Sequence, residues 1–225
     1  LRVYDRAFGY GAYVMAVNLL SKAVVDSNPS KQLWYLGAAG IWGAAFLNTC
    51  LTVCFFQLCY RDKKLPEPLW NAPTVSIAMI GWTGVSVNMN RAVVEASFWA
   101  GMAICVLCLP PQIWRALAHP KAVAPDASCA MMMAPGPFMT AVWYSIGGVS
   151  RAPAHTVHFL QALSSATFAC TLLALCQRCG ACAAQPFGQS WVAFTFPLVT
   201  TTTGALLVVS LFFYYTSNAK FKILV

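Results

Sequence analysis

Residues 33–60 read LWYLGAAGIWGAAFLNTCLTVCFFQLCY and hold no Asp, Glu, Lys or Arg, with Lys31 just before the stretch and Arg61 just after it. A helix needs roughly 20 apolar residues to cross the hydrocarbon core of a bilayer. A Lys, Arg or Asp at the centre of such a helix costs about 2.5–3.5 kcal/mol on insertion scales. A long uncharged run closed by basic residues is therefore what a membrane selects.

The same pattern continues on both sides. Pro68–Asn90, Ala96–Trp114, Ala127–Ser150, Ala152–Gln177 and Cys179–Ala219 are also free of formal charge. The last opens on a small, polar part (residues 180–189), so its span is placed from Ser190. Ala7–Ser21 makes a weaker span that extends to Val25. The chain is expected to form an all-α transmembrane fold of seven spans, near 7–25, 33–60, 70–88, 93–114, 128–149, 154–177 and 190–216. Short loops make neighbours antiparallel. The composition agrees: 59% of residues are hydrophobic and 9% charged, against roughly 25% charged in a soluble domain. Residue 1 is Leu, and no charged segment with a small-residue cleavage site follows it. The expectation is one transmembrane domain over residues 1–225, incomplete at both ends.

The formal charge is +8, which in a soluble protein suggests nucleic acid. Here the basic residues fall between spans, where they anchor and orient helices, and no nucleic-acid partner is expected. Counting loops alternately, the side of residue 1 carries Arg2, Arg6, Arg61, Lys63, Lys64, Arg115, Lys121 and Arg178, and the other side Lys22, Lys31, Arg91, Arg151, Lys220 and Lys222. The positive-inside rule then places residue 1 in the cytoplasm. The ten cysteines fall mostly inside spans, where Cys acts as a small apolar residue, so they imply no disulfide framework.

Pro73, Pro135 and Pro197 stand 62 residues apart each time (135−73 and 197−135). That interval is about two spans with their turns, so the repeating unit is a helical hairpin. Another 62 residues back from Pro73 lies Gly11, in the first span. Gly, like Pro, loosens a helix. Spans two, four and six lack an interior Pro; Pro110 and Pro111 fall near the end of span four. Interior Pro costs a helix about 3 kcal/mol and is tolerated in membranes where neighbours, hydroxyls or water satisfy the freed carbonyl. Odd spans are thus expected to kink at Pro and face a protein or aqueous interior, and even spans to face outward.

Three segments at these prolines carry a family resemblance: Pro66-Glu67-Pro68-Leu69-Trp70-Asn71-Ala72-Pro73-Thr74-Val75, Ala134-Pro135-Gly136-Pro137, and Trp191-Val192-Ala193-Phe194-Thr195-Phe196-Pro197-Leu198. They resemble the family of tellurite-resistance and C4-dicarboxylate transporters and plant slow-type anion channels, at the entry into its fifth helix, in its Pro-containing seventh helix and at the opening of its ninth. The resemblance implies ten helices in five hairpins about a pseudo-fivefold axis. Odd helices line a central pore, even helices form an outer ring, and three subunits assemble with one pore each. The seven spans here correspond to helices three to nine. A phenylalanine of the ninth helix plugs the family's pore, a role that the motif carries to Phe196, with Phe194 second.

An anion in such a pore needs positive potential without a trap, and backbone N–H groups at broken-helix N-termini supply it. Candidate lining hydroxyls are Thr74, Ser76, Thr140, Thr195 and Thr200–Thr203; the plainer reading of each is a hydrogen bond between or within helices. Pro137 joins Pro73, Pro135 and Pro197 as a kink position. Cys176, Cys179 and Cys182 lack the fourth ligand of a closed metal site, His155 and His158 belong at the interface, and Arg91 and Glu95 make an i,i+4 pair. No phosphate-binding Gly loop or hydrolytic triad is present. The reading is an anion channel or transporter, not an enzyme, without cofactor or metal; the alternatives are a proton-coupled dicarboxylate carrier of the same fold and a truncated, non-conducting membrane protein. Its expected substrates are chloride, nitrate, sulfite or dicarboxylates such as malate, and its expected place is the bilayer of a plasma membrane.

Overall fold

The computed structural model describes residues 3–27, 30–63, 67, 70–118, 127–147 and 154–177, and a few isolated positions beyond them. Its elements are α1 (Val3–Asp26), α2 (Lys31–Arg61), α3 (Asn71–Ser86), α4 (Arg91–Ala118), a 3₁₀ segment (Ala127–Met133), α5 (Pro135–Gly147) and α6 (Ala154–Cys176). No strand occurs among the described residues. Six of the seven expected spans are thereby located, and the seventh (190–216) lies outside the described residues. Lys31–Arg61, Arg91–Ala118 and Thr156–Cys176 are long and apolar enough to cross a membrane.

Successive helices pack as hairpins, α1 with α2, α3 with α4 and α5 with α6, and the odd helices touch in order, α1 with α3 and α3 with α5. The hairpins close on small residues. A Cβ built on Gly40 would come 2.2 Å from Ser21 Oγ, and one on Gly101 2.9 Å from Ala78 Cβ. One on Gly136 would come 2.7 Å from Ser164 Cα. Without a hydrophobic force between helices in lipid, close backbone approach at small residues is what holds them. Gly37 meets Val25 while Gly40 meets Ser21, and Gly84 meets Val94 while Gly101 meets Ala78. In both pairs one index rises as the other falls, so the partners within each hairpin are antiparallel.

Burial separates α3 and α5 from the even helices, whereas α1 departs from the expected alternation and leaves Tyr13, Val17 and Leu20 exposed. Every described side chain of α3 from Asn71 to Gly84 is buried except the half-buried Trp82, and α5 is buried through Thr140. The even helices instead bury one stripe. In α2 it runs Gly37, Ala38, Ile41, Ala44, Ala45, Asn48, Thr52, Phe55 and Cys59, a spacing of three and four. The opposite faces show Leu36, Phe46, Leu107 and Leu173, each more than half exposed. The main core joins α3, α4 and α5 through Val75, Met79, Phe98, Met102 and Met139.

The connection from α3 to α4 follows from two asparagines. Asn88 takes φ 52°, a left-handed conformation Asn tolerates better than most residues. The Asn88 N–H then donates to Val85 O (3.2 Å) and the Met89 N–H to Gly84 O (2.9 Å), the bond pair of a Schellman cap. Asn90 caps the next helix, its Oδ1 accepting from the Ala92 N–H at 2.9 Å. One turn on, Arg91 Nε donates to Glu95 Oε1 at 2.6 Å. Both side chains are largely exposed, and such pairs stabilise helices by about 0.3–0.5 kcal/mol. Arg91→Ala is accordingly expected to leave the melting temperature in detergent within about 1 °C; a drop of several degrees would show that Arg91 does more than close a helix end.

The prolines depart from expectation. Pro73 is the third residue of α3 and Pro135 and Pro137 the first and third of α5. A helix's first N–H groups have no intrahelical acceptor, so Pro there starts a helix and loses no bond. These three residues open helices and do not kink them. Span five is correspondingly divided: seven residues of 3₁₀ helix, a bend at Ala134, then α5. The residue before Pro disfavours α geometry, which explains the break at Ala134. Pro110 and Pro111, in contrast, stand inside α4, which continues to Ala118. The helix also runs unbroken through Gly11.

Candidate functional site

Helices α3 and α5 form the inner layer, and Thr74, Ser76 and Thr140, expected to line a pore, lie on them. Thr74, Ser76 and Thr140 are buried, with 0–2% of their surface exposed. Thr74 Oγ1 donates to Trp70 O (3.2 Å), Ser76 Oγ to Ala72 O (2.8 Å) and Thr140 Oγ1 to Gly136 O (3.0 Å). Thr140 also meets Ser164 Oγ of α6 at 3.1 Å. These hydroxyls satisfy carbonyls four residues back, and Thr140 bonds toward an outer helix. Phe194, Phe196, Pro197 and Thr200 lie outside the described residues.

The helix openings are poorer in backbone donors than broken-helix anion sites usually are. The first three residues of α5 are Pro135-Gly136-Pro137, which leaves Gly136 with the one N–H among them. The Phe138 N–H already donates to Ala134 O at 3.1 Å. In α3 only Pro73 lacks the donor, and Asn71 and Ala72 keep theirs. The dipoles of α3 and α5 remain, but discrete N–H donors concentrate at α3.

Sequence reasoning missed the polar junction found there. Asn71 Nδ2 donates to Gln112 Oε1 of α4 at 2.8 Å and to Met131 O of the 3₁₀ segment at 3.2 Å. Asn71 and Gln112 are at most 1% exposed. One amide thus ties the opening of α3 to α4 and to the approach to α5. The signal was present as an Asn beside Pro73 and a Gln behind Pro110-Pro111. Asn71→Leu strands the buried Gln112 Oε1, at a cost of about 1–3 kcal/mol, while Met131 O keeps the Ala134 N–H at 3.4 Å. Gln112→Leu strands none, because Asn71 keeps Met131. Asn71→Leu should therefore lower the melting temperature clearly more than Gln112→Leu; equal losses would show that the junction is held by shape alone.

At the other end of the inner layer, Lys22 of α1 reaches α3. Its Nζ donates to Ser86 Oγ at 2.7 Å, ion-pairs with Asp26 and lies 5.5 Å from the Trp82 ring. Trp82 in turn stands edge-on to Phe138 of α5, ring centroids 6.0 Å apart. Helices α1, α3 and α5 are thus linked through Trp82. Burial pushes the Asp26 carboxyl up, but hydrogen bonds with Lys22 and Ser86 outweigh it and hold the group below its ordinary range. No cluster of three metal-ligating side chains occurs among the described residues, and none of the nine cysteines described is in a disulfide.

An inner layer of buried helices inside a lipid-exposed outer one defines a polytopic membrane protein built from helical hairpins. The chain matches SLAC1, the voltage-dependent anion channel family, over residues 4–224. It belongs to that family, and is an integral membrane protein of the anion channel and transporter class. Compared with curated proteins and with solved structures, it gives no significant match.

Proposed function

We propose that this chain forms a pore for small anions along its odd-numbered helices, closed by the ring of Phe196. The observation that carries the reading is the segregation of burial: α3 and α5 are enclosed while α2, α4 and α6 present apolar faces outward. A layer that lipid does not touch is where a conduction path belongs in a channel family. No Lys or Arg occurs in α3 or α5, so positive potential comes from helix dipoles and the donors at Asn71 and Ala72, which attract an anion without holding it. Chloride, nitrate and sulfite suit such a path, and malate is the dicarboxylate to try with them. Phe194 stands second as the closing ring. We also infer a homotrimer with one pore per chain, placed in the plasma membrane.

The test is flux from liposomes holding the purified chain, with chloride, nitrate or malate inside. Anion efflux that follows the membrane voltage and ignores an imposed pH gradient supports a channel. Efflux that needs the gradient would reassign the chain as a proton-coupled carrier, and silence from correctly inserted protein would overturn the reading.

A further inference from the structure

The hairpin architecture leaves grooves between successive outer helices. Two are well formed. The one between α2 and α4, about 470 Å³, carries Thr49, Thr52, Gln57 and Tyr60 among its lining. The one between α4 and α6, about 530 Å³, is lined by apolar side chains save Thr167, and the Thr167 hydroxyl is taken up by Ser164 O at 3.0 Å. Sites for small ligands run roughly 300–1,000 Å³, so the second groove is large enough for a ligand.

Its surroundings say what the ligand is. Both walls belong to helices long and apolar enough to span a membrane, in a chain of a membrane channel family. Its lips continue outward as exposed Val106, Leu107 and Phe159, so the described rim is apolar, unlike the polar rim that borders protein docking sites. The α4 wall includes Pro110, Ile113, Trp114 and Leu117. Trp114, 61% exposed, is the kind of side chain that sits at the headgroup level, and Arg115 follows it. An apolar slot ending at an indole matches a phospholipid, with hydrocarbon in the slot and the headgroup level with Trp114.

We propose that the groove between α4 and α6 binds one phospholipid, an acyl chain lying along Leu109, Ile113 and Leu163 and the headgroup level with Trp114. The same turn of α4 that lines the groove carries Gln112, whose side chain points the other way to Asn71 at the opening of α3. The lipid therefore packs against the turn that fixes an inner helix. The proposal does not depend on what the pore conducts.

The test uses the purified full chain in nanodiscs doped with a phosphatidylglycerol that carries a photoreactive diazirine on one acyl chain. Peptides are mapped after illumination. Labelling is expected to concentrate on the peptides holding Ile113 and Leu163, at least threefold above the groove between α2 and α4. Ala166→Trp fills the slot and should remove most of that labelling. Ala169→Trp, an exposed change outside the slot, should leave it, and equal melting temperatures show that both variants fold. Labelling spread evenly over the outer helices, or unchanged in Ala166→Trp, overturns the proposal. So does efficient crosslinking between two chains through Leu163→Cys, which would put a second copy in the groove.

Discussion

Phe196→Ala is expected to raise anion current through membranes containing this chain by about tenfold, the change that a loss of about 1.4 kcal/mol in barrier produces. A phenyl ring across a narrow pore blocks an ion twice, by filling the cross-section and by expelling the water that would hydrate it. Alanine removes both obstacles and leaves the backbone of the Phe196-Pro197 segment in place. The expectation rests on the family match over residues 4–224 and on the Trp191–Leu198 segment, since Phe196 itself lies outside the described residues. Paired voltage-clamp recordings of wild type and variant, normalised to inserted protein, decide it. Unchanged or smaller current from a folded variant would make Phe196 a packing residue.

Phe138 supplies the contrast that gives this result meaning. It is 3% exposed and packs edge-on against Trp82, in the main core. Truncating a buried Phe to Ala typically costs 3–5 kcal/mol. Phe138→Ala is therefore expected to lower the melting temperature without a matching gain in current. A gate and a core residue thus separate by which readout moves.

How far the fold was legible depends on the range of the interaction involved. The spans were readable because lipid imposes one rule on every residue of a run. The stretch 33–60 became α2 at Lys31–Arg61, and the basic residues that close the run close the helix. The enclosure of α3 and α5 was readable from the 62-residue repeat, because a hairpin unit fixes which members share a layer, but α1, placed in the same register by Gly11, leaves Tyr13 and Leu20 exposed. What the prolines do was not readable. An apolar run extends past the helix it contains, so Pro73 and Pro135 lie well inside uncharged sequence and yet in the first turn. Hydropathy marks where lipid or core begins, and says little about where a helix starts. Span five shows the same gap: Met131, Met132 and Met133 are as apolar in a 3₁₀ segment as in an α-helix. The Asn71–Gln112 bond joins residues 41 positions apart, and only the crossing of α3 over α4 brings them together. The resemblance named residues for the pore, whereas the polar junction and the outer groove appeared only when the helices were packed.

Substitutions of glycine should show the packing most directly, because two of them have opposite expected signs. At Gly136 an added Cβ would lie 2.7 Å from Ser164 Cα and 3.0 Å from Ser164 N. Backbone atoms of a helix cannot swing aside as the tip of a side chain can, so α5 and α6 must separate. Separation weakens the bond between Thr140 and Ser164, now 3.1 Å. Overpacking of this kind costs typically 1–3 kcal/mol, and Gly136→Val more than Gly136→Ala. Gly43 lies in the same type of hairpin, on the exposed face of α2, with nothing within 4 Å of the added carbon. There Ala gains its helix propensity over Gly, about 0.8–1.0 kcal/mol. Thermal unfolding in one detergent should thus place Gly43→Ala above wild type, Gly136→Ala below it and Gly136→Val lowest, with Gly136→Val also reducing the yield of folded protein. If Gly136→Ala melts with or above wild type, the α5–α6 crossing is looser than described, and small-residue contact is not what closes that hairpin. The ordering isolates backbone approach from hydrophobicity, since both alanine variants add the same methyl group to a helix of the same protein.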